Sequence, residues 1–219
     1  MSKGLIIFAR EPVPGRVKTR LARKIGDQAA AELYAAMTKD VLDTVTGLTD
    51  VRRLLFWTAE NYGIPAANAF PGFEVFAQQG VSLGDRMFDA FTRAFQGGLK
   101  TCCIIGTDSP DLPQRYIGKA FELLDRGDID VVFGPAEDGG YYLLGLKQAC
   151  NGFFELIPWG TPRVLDDSLE RARHLGLRTA LLPKWYDIDT QEDLLCLVAS
   201  SDDSAPCTRD AIRRLLQVG

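Results

Sequence analysis

The amino-acid sequence predicts a protein of the α/β class with a mainly parallel sheet. Short apolar runs of strand length recur along the chain, and segments with helical periodicity lie between them. This alternation is typical of strands joined by helical crossovers. The runs at residues 102–106 and 130–133 are strongly apolar, as expected of strands that are buried on both faces of such a sheet.

The same patterns predict the order of the elements. Strands are predicted at residues 4–9, 53–57, 73–77, 102–106, 131–134, 141–146 and 179–183. Helices are predicted at about residues 28–46, 83–95, 115–126, 164–175, 192–200 and 209–218. Asp27 is the expected N-cap of the first helix, and Thr190 with Asp193 three residues later predicts a cap near residue 192. We expect residues 1–200 to form one domain, on which a helical tail, residues 201–219, packs.

The amino-acid composition argues against several classes of protein. A chain of 219 residues has room for one large α/β domain, and 46% hydrophobic with 25% charged residues is ordinary for a globular protein. A pI near 5.1 argues against nucleic acid as the main partner. No apolar run approaches the length of a membrane helix, and the N-terminus lacks a signal-peptide pattern. Five cysteines without a Cys-x-x-Cys pair favour free thiols in a reducing, cytoplasmic location.

The loop after the first predicted strand carries a concentrated positive charge. Its cations are Arg10, Arg16, Lys18, Arg20, Arg23 and Lys24, and Glu11 is its one acid. The local balance of +5 within a chain of net charge −4 indicates an anionic ligand, because ligands of open α/β sheets bind beyond the carboxyl ends of strands. If the loop is extended, the cations at 16, 18 and 20 share one face. The alternative is a solvated basic turn, and neither a P-loop nor a dinucleotide fingerprint is present.

Acidic residues follow later strands. Asp108 comes directly after the buried run at 102–106, and its carboxylate is a hard oxygen ligand of the kind that a nucleotide-bound Mg²⁺ requires. Asp187 and Asp189 precede a helix, and two acids exceed what capping needs, so either is a candidate ligand. The alternative for Asp108 is a turn-capping role. His174, the one histidine, is predicted to have a structural role, which argues against histidine-based catalysis.

Two further loops are candidates for substrate contacts. Gly139 and Gly140 allow close backbone approach to a ligand, although Asp-Gly turn chemistry alone would explain them. Gln78 and Gln79 have amides that can read a base edge, and Arg86 can bind an anion. A surface loop leading into a helix is the alternative for that segment.

Five motifs, in this order, together resemble a known family. They lie at residues 8–21, 105–110, 134–142, 159–161 and 187–194. The set is similar to the glycosyltransferase-like relatives of 2-phospholactate guanylyltransferase, within the nucleotide-diphospho-sugar transferase superfamily, over about residues 4–197. Two departures are visible: Ser82 stands where an acid is usual, and Arg10 where lysine is common.

The resemblance implies a fold and a set of roles. The fold is a Rossmann-like, glycosyltransferase A-type α/β/α sandwich of three layers with a mixed, mainly parallel sheet. Asp108 and Asp189, with Asp187 as the alternative second acid, would hold Mg²⁺ or Mn²⁺. The nucleotide would contact Arg10, Gly15, Arg16, Lys18, Arg20, Gln79 and Arg86. Asp138, Gly139, Gly140 and Tyr141 would face a small-molecule acceptor.

The resulting hypothesis is a transferase whose catalytic residues are Lys18, Arg16 and Asp108. It would move a nucleotidyl group from a nucleoside triphosphate to a phosphorylated acceptor with the help of a metal ion. The cation-rich loop favours a triphosphate over the diphosphate of a sugar nucleotide, because the triphosphate carries more charge. The alternatives are a glycosyltransferase that uses a nucleotide-sugar donor and a noncatalytic nucleotide-binding module.

Overall fold

A computed structural model describes residues 2–66, 68–150 and 152–217. The described residues form one sheet of seven strands with helices on both faces. The strands are β1 (Lys3–Arg10), β2 (Val51–Thr58), β3 (Glu74–Ala77), β4 (Thr101–Ile105), β5 (Val131–Pro135), β6 (Tyr141–Leu146) and β7 (Thr179–Leu181). Their order across the sheet is β3-β2-β1-β4-β6-β5-β7. Strand β6 runs antiparallel to β4 and β5, and the other pairs are parallel, so the predicted mixed, mainly parallel sheet is confirmed.

The helices connect the strands and form the outer layers. They are α1 (Thr19–Ile25), α2 (Asp27–Thr46), α3 (Leu83–Gln96), α4 (Gln114–Asp125), α5 (Val164–His174), α6 (Gln191–Ala199) and α7 (Pro206–Gln217). None of the helices in the described part of the chain combines the length and apolar character that a membrane crossing requires.

Alternate residues of each central strand face different layers. In β1, Leu5 and Ile7 pack towards α2 and α4, whereas Ile6 packs towards α3. All three are fully buried, and full burial of such a side chain stabilises the fold by about 1.5–3 kcal/mol. The sheet is therefore covered on both faces, which confirms the expected three-layer α/β/α sandwich.

The first helix differs from the sequence-based expectation. Residues 16–20 are not an extended loop with cations on one face, because the chain enters α1 at Thr19. Leu21 is buried against the cluster that includes Leu33 of α2, and this packing holds a helix too short to be stable alone. Gly26, with a φ of 87°, is the residue between α1 and α2 and the N-cap of α2. The prediction that Asp27 caps α2 is therefore wrong, since Asp27 is already inside the helix.

The C-terminal helix α7 packs on α2. The buried carboxylate of Asp40 accepts hydrogen bonds from the backbone N–H groups of Cys207 (3.0 Å) and Thr208 (2.6 Å). The Thr208 hydroxyl donates to the same carboxylate at 2.7 Å. These bonds satisfy backbone donors in the first turn of α7 that lack intrahelical partners. They explain why α7 begins at Pro206, before the residue 209 that the sequence predicted.

An ion pair at the sheet edge gives a pH-dependent prediction. Arg178 donates two hydrogen bonds of 2.8 Å to Asp130, and it lowers the pKa of that carboxyl to about 2. A depressed carboxyl pKa contributes stability above the ordinary value near 3.8, and this contribution is lost as the pH falls towards 2. At neutral pH we expect Asp130→Asn to cost about 1 kcal/mol, a modest value because the arginine is exposed. Urea unfolding at several pH values should show the gap between wild type and variant closing between pH 4 and 2. A gap that is constant with pH would contradict the assignment.

Candidate active site

The candidate site lies at the carboxyl edge of the central strands. Strands β1 and β4 are neighbours and run parallel, so the loops that follow them meet at the same edge of the sheet. The segment that precedes α6 joins them, because the Ile188 N–H donates to the Asp108 carbonyl at 2.9 Å. Three stretches that are distant in sequence are thereby brought together where ligands of open α/β sheets bind.

Lys18 is the centre of this site. Its ammonium lies 2.5 Å from Asp108 Oδ1 and 3.1 Å from Asp189 Oδ1, and it donates a hydrogen bond of 2.6 Å to the Ile188 carbonyl. The lysine side chain is only 3% exposed, whereas the two carboxylates are 52% and 39% exposed. Burial alone would lower the pKa of Lys18, but the two carboxylates outweigh burial and raise the pKa above its usual range. The ammonium therefore stays charged at neutral pH.

The backbone conformation at Lys18 is unusual. Lys18 has a φ of 45°, in the left-handed region that residues with a side chain seldom adopt. Such a conformation costs about 1–3 kcal/mol and persists where the surroundings hold it. On the opposite side of the pair, Thr190 caps α6 with a reciprocal hydrogen bond to Asp193, as predicted. The Asp193 carboxylate also accepts from the Asp189 N–H at 3.0 Å, which orients Asp189.

Asp187 faces a different partner. The Ser109 hydroxyl donates a hydrogen bond of 2.7 Å to Asp187 Oδ1. Burial, together with the charges of Asp108 and Asp138, raises the pKa of Asp187 to about 6. Of the two acids that the sequence left as alternatives, Asp189 and not Asp187 contacts the Lys18 ammonium within salt-bridge distance.

The remaining cations of the loop surround the same point. Arg10, Arg16, Lys18, Arg20, Tyr34, Asp108 and Asp189 line one cavity of about 310 Å³, which we call the cation cavity. Arg20 is largely exposed, with Nη1 3.6 Å from Asp189 Oδ2, and Arg10 donates to the Arg16 carbonyl at 3.4 Å. Gly15, with a φ of 74°, takes a left-handed conformation in the loop that leads to these residues. The cavity thus presents exposed guanidinium groups around a buried ammonium.

A second cavity adjoins the first. It also measures about 310 Å³ and shares Arg10, Tyr34 and Asp108 with the cation cavity. Arg86 lines it, as the sequence suggested for a ligand contact. Among the described residues Gln78 lines it rather than the predicted Gln79, and the Gln78 amide already donates to the carbonyls of Ala9 and Phe56.

Family membership follows from a comparison with known proteins. Residues 41–161, more than half of the chain, match the family described as "Uncharacterized protein conserved in bacteria (DUF2064)". The chain belongs to this family. No curated protein matches its sequence.

The chain is also similar to several solved structures. A protein from Desulfovibrio desulfuricans G20, provisionally described as a nucleotide-diphospho-sugar transferase, is 32% identical, with a TM-score of 0.89 over 99% of this chain and 97% of that one. A CMP:2-keto-3-deoxy-manno-octonic acid synthetase complexed with CTP is 12% identical, with a TM-score of 0.59 over 90% and 97% of the two chains. A cytidylyltransferase from Leptospira borgpetersenii serovar Hardjo-bovis (strain JB197) is 16% identical, with a TM-score of 0.57 over 100% and 96%. The last two show likeness of fold alone.

These similarities confirm that this DUF2064 protein has the fold of the nucleotide-diphospho-sugar transferase superfamily. The closer relation to 2-phospholactate guanylyltransferase stays a prediction.

The fold family implies a divalent metal ion, and the carboxylates of the candidate site are its possible ligands. Asp108 and Asp189 converge on a single point, the Lys18 ammonium, and no group of three or more His, Cys, Asp or Glu side chains does so within the described residues. Two carboxylates fit Mg²⁺, which usually completes its octahedron with water and substrate phosphate, and such an ion would have to displace the Lys18 ammonium from the point on which they converge.

Tyr34 is a site residue that the sequence analysis missed. Its hydroxyl accepts hydrogen bonds from the Arg10 N–H (3.2 Å) and from the Thr107 hydroxyl (2.9 Å), and it lines both cavities. It thereby joins the end of β1 to the residue before Asp108. On sequence it is one more buried position of an amphipathic helix, so no local signal separates it from core residues.

We expect Tyr34→Phe to reduce the free energy of unfolding by about 1–2 kcal/mol, because the buried Thr107 hydroxyl loses its acceptor. Urea unfolding measures the change. Tyr62→Phe is the matched control, since Tyr62 is 90% exposed and its variant should unfold like the wild type. Equal stability of both variants would show that the Tyr34 hydroxyl does not bridge these elements.

The predicted acceptor residues fall into two groups. Asp138 Oδ1 accepts a hydrogen bond from the Gly140 N–H at 2.8 Å, as in an Asx turn. Gly139 packs against the backbone of Pro162. Tyr141 packs against the rings of Phe133 and Trp159 and lines the second cavity. Turn geometry therefore accounts for Asp138 and the glycines, while Tyr141 reaches the cavity.

Gly139 supports a large stability prediction. Its φ is 89°, and a Cβ atom there would lie 2.1 Å from the Pro162 carbonyl oxygen. We expect Gly139→Ala to destabilise the fold by about 2–5 kcal/mol, through backbone strain and overpacking together. Thermal unfolding with Gly127→Ala as control tests this, because no atom lies within 4 Å of the corresponding position at Gly127. A similar melting temperature for the two variants would refute it.

Proposed function

We propose that this protein is a nucleotidyltransferase that joins a nucleoside triphosphate to a phosphorylated small-molecule acceptor and releases pyrophosphate. The observation that carries the proposal is the buried Lys18 ammonium, held between Asp108 and Asp189 at the carboxyl edge of β1 and β4. The fold that this chain shares with a CTP-bound synthetase and a cytidylyltransferase supports a transferase of this class.

Electrostatics favours a triphosphate as the donor. Four cations line the cation cavity, and three of them, Arg10, Arg16 and Arg20, are not buried. Guanidinium groups bind phosphate oxygens through paired, charge-assisted hydrogen bonds. A triphosphate uses more of these donors than the diphosphate of a sugar nucleotide. Arg86, which lines the adjoining cavity, would contact the same nucleotide.

In the proposed reaction the acceptor phosphate attacks the α-phosphorus of the triphosphate, and the bond to the β,γ-pyrophosphate breaks. Arg16 holds the phosphates and, with Lys18, stabilises the charge that develops on the leaving group. The three N–H donors of Lys18 already bind Asp108, Asp189 and Ile188, so its ammonium would exchange a carboxylate contact for a phosphate oxygen. Asp108 and Asp189 would hold Mg²⁺ or Mn²⁺, which neutralises phosphate charge when bound. Little covalent chemistry falls to the protein, because positioning and electrostatics are the main contributions in phosphoryl transfer.

A thermal-shift panel tests the proposal. Nucleoside triphosphates and nucleotide sugars are each added with and without Mg²⁺, since a ligand that binds the native state raises the melting temperature by mass action. Pyrophosphate release is then measured with a set of phosphorylated acceptors. We expect one triphosphate to stabilise the protein in the presence of Mg²⁺ and pyrophosphate to appear.

Two outcomes would contradict the proposal and support a different function. Stabilisation by a nucleotide sugar, with release of a nucleoside diphosphate, would instead identify a glycosyltransferase on the same scaffold. Tight nucleotide binding that is indifferent to Mg²⁺ and to chelators, without turnover, would identify a noncatalytic nucleotide-binding module.

A further inference from the structure

A row of hydrogen bonds joins the loop after β4 to the segment before α6. The first bond runs from the Ile188 N–H to the Asp108 carbonyl at 2.9 Å, and the second from the Ser109 hydroxyl to Asp187 at 2.7 Å. The third link is Asp111, whose carboxylate meets two aromatic side chains of the segment before α6. The row therefore holds together the two segments that supply the carboxylates of the candidate site.

Asp111 is a buried carboxylate held by neutral donors. It is only 6% exposed. Its Oδ1 accepts a hydrogen bond of 3.3 Å from the Trp185 indole N–H, and its Oδ2 accepts one from the Tyr186 hydroxyl. Burial raises the pKa of Asp111 above its usual range, although both bonds lower it. Because a carboxylate is costly to bury, an apolar residue of similar size would serve stability at least as well, and stability alone does not explain this side chain.

The two aromatic donors are themselves fixed to the rest of the fold. The Trp185 N–H donates to the carbonyl of Pro135, the last residue of β5, at 3.0 Å. The Trp185 ring stacks on that of Tyr186, with centroids 5.6 Å apart, and meets the ring of Tyr116 in α4 edge-on at 5.5 Å. Since the donors are anchored in this way, their bonds to Asp111 restrain the loop after β4.

The position of that loop affects the surroundings of the Lys18 ammonium. Lys18 contacts Asp108 in the loop after β4, and it contacts Asp189 and the Ile188 carbonyl in the segment before α6. The ammonium thus spans both segments, and a shift of one against the other lengthens at least one of its contacts. Asp111 lies outside both cavities around Lys18, so it can act on the ammonium only through the loop.

We propose that Asp111 is a positioning residue of the candidate site. Through Trp185 and Tyr186 it keeps the loop after β4 in register with the segment before α6, and thereby keeps Asp108 at the Lys18 ammonium. The inference deepens the function proposed above and rests on it where phosphate binding is concerned. The role requires hydrogen bonds and not a negative charge. Asp111→Asn preserves both bonds, because the amide oxygen accepts from the indole and the amide N–H donates to the tyrosine oxygen. Asp111→Leu fills a similar volume and makes neither bond.

The reactivity of Lys18 towards acetic anhydride tests the proposal without a nucleotide. A buried, ion-paired ammonium is acetylated slowly, and mass spectrometry compares Lys18 with the exposed Lys24 of the same sample. We expect Asp111→Leu to speed the acetylation of Lys18 by about three- to ten-fold, the equivalent of one lost hydrogen bond. Asp111→Asn should resemble the wild type. Urea unfolding should show that Asp111→Leu is as stable as the wild type, which excludes unfolding as the cause.

Binding of inorganic tripolyphosphate with Mg²⁺ is the second measurement, because this ion carries the charge that all nucleoside triphosphates share. Calorimetry should show an affinity about three- to ten-fold weaker for Asp111→Leu than for the wild type and Asp111→Asn. Tyr186→Phe removes one donor and keeps the ring, so it should change both measurements in the same direction. This variant keeps the proposal testable if Asp111→Leu does not fold.

The matched control is Asp130→Leu. Asp130 also accepts two side-chain hydrogen bonds, from Arg178, and it precedes β5 at the edge of the sheet opposite to the site. Its variant loses a hydrogen-bonded carboxylate without disturbing the row of bonds that includes Asp111. Lys18 acetylation and tripolyphosphate affinity should therefore stay at the wild-type values.

Three results would overturn the proposal. The first is acetylation of Lys18 at the wild-type rate in folded Asp111→Leu and Tyr186→Phe. The second is an Asp111→Asn protein that behaves like Asp111→Leu, which would show that the charge matters and not the hydrogen bonds. The third is faster acetylation of Lys18 in Asp130→Leu, which would show a nonspecific response. If the wild type binds no tripolyphosphate, the proposed function is contradicted, while the acetylation rates still decide the role of Asp111.

Discussion

Replacing Asp108 with alanine is expected to lower turnover by a factor of about 10²–10³, the usual cost of removing one electrostatic group from a catalytic site. The carboxylate belongs to the pair that surrounds the Lys18 ammonium, 2.5 Å away, and it follows β4 at the edge where the loops meet. Its loss removes a proposed metal ligand and releases one anchor of the ammonium. The fold should remain intact, because the side chain is 52% exposed and Lys18 keeps its contact with Asp189.

Pyrophosphate release at increasing Mg²⁺ concentration measures this effect, and urea unfolding checks the fold. Asp128→Ala is the matched control, since Asp128 is an exposed carboxylate that pairs with Arg126 away from the site. The control should retain wild-type turnover. Normal activity of Asp108→Ala, with a metal ion still required, would reject Asp108 as a metal ligand.

Replacing Lys18 with methionine is expected to weaken nucleotide binding and to lower turnover by a factor of about 10²–10³. The variant keeps most of the side-chain volume and removes the ammonium, which among the described residues is the only group within salt-bridge distance of both Asp108 and Asp189. The two carboxylates then face each other without a cation. We expect a loss of about 1–3 kcal/mol of stability, less than for a fully buried pair, because both carboxylates reach solvent.

Calorimetry with nucleoside triphosphates and thermal unfolding measure the two effects. Lys24→Met is the control, because Lys24 is an exposed cation of α1, the helix that Lys18 directly precedes, and lies outside both cavities around Lys18. Mg²⁺ alone should raise the melting temperature of Lys18→Met more than that of the wild type, since the two unpaired carboxylates attract a divalent ion. Nucleotide affinity that is equal in Lys18→Met and Lys24→Met would show that Lys18 does not contribute to nucleotide binding.

Much of the fold could be predicted from local patterns. Every predicted strand is present, and Tyr141–Leu146 has its predicted bounds, because apolar runs of strand length between turn residues leave few alternatives. The Thr190 cap was predicted correctly since both partners lie within four residues. Helix α1 was missed because its seven residues have no strong signal of their own. Packing of Leu21 beneath α2 stabilises it, and this contact depends on the tertiary fold.

The functional site was predicted incompletely for the same reason, because local patterns do not show tertiary contacts. The resemblance identified Lys18, Asp108 and Asp189 as candidates, but the motif alone does not say which acid meets the ammonium. The resemblance favoured Gln79, whereas Gln78 lines the cavity, and which of two adjacent amides faces a cavity depends on the tertiary path of the backbone. Tyr34 was missed because its role comes from the Thr107 hydroxyl, 73 positions further along the chain.

Local patterns sufficed to predict the strands, the long helices, the positive loop after β1 and the acids that follow later strands, because these are properties of neighbouring residues. The contacts of the Lys18 ammonium with Asp108 and Asp189, and the bond between Ser109 and Asp187, arise from the tertiary structure. The cation cavity likewise exists only once the loop after β1, α2 and the segments after β4 and before α6 are assembled. Contacts between residues so distant along the chain depend on strand order and helix packing, which no local pattern encodes.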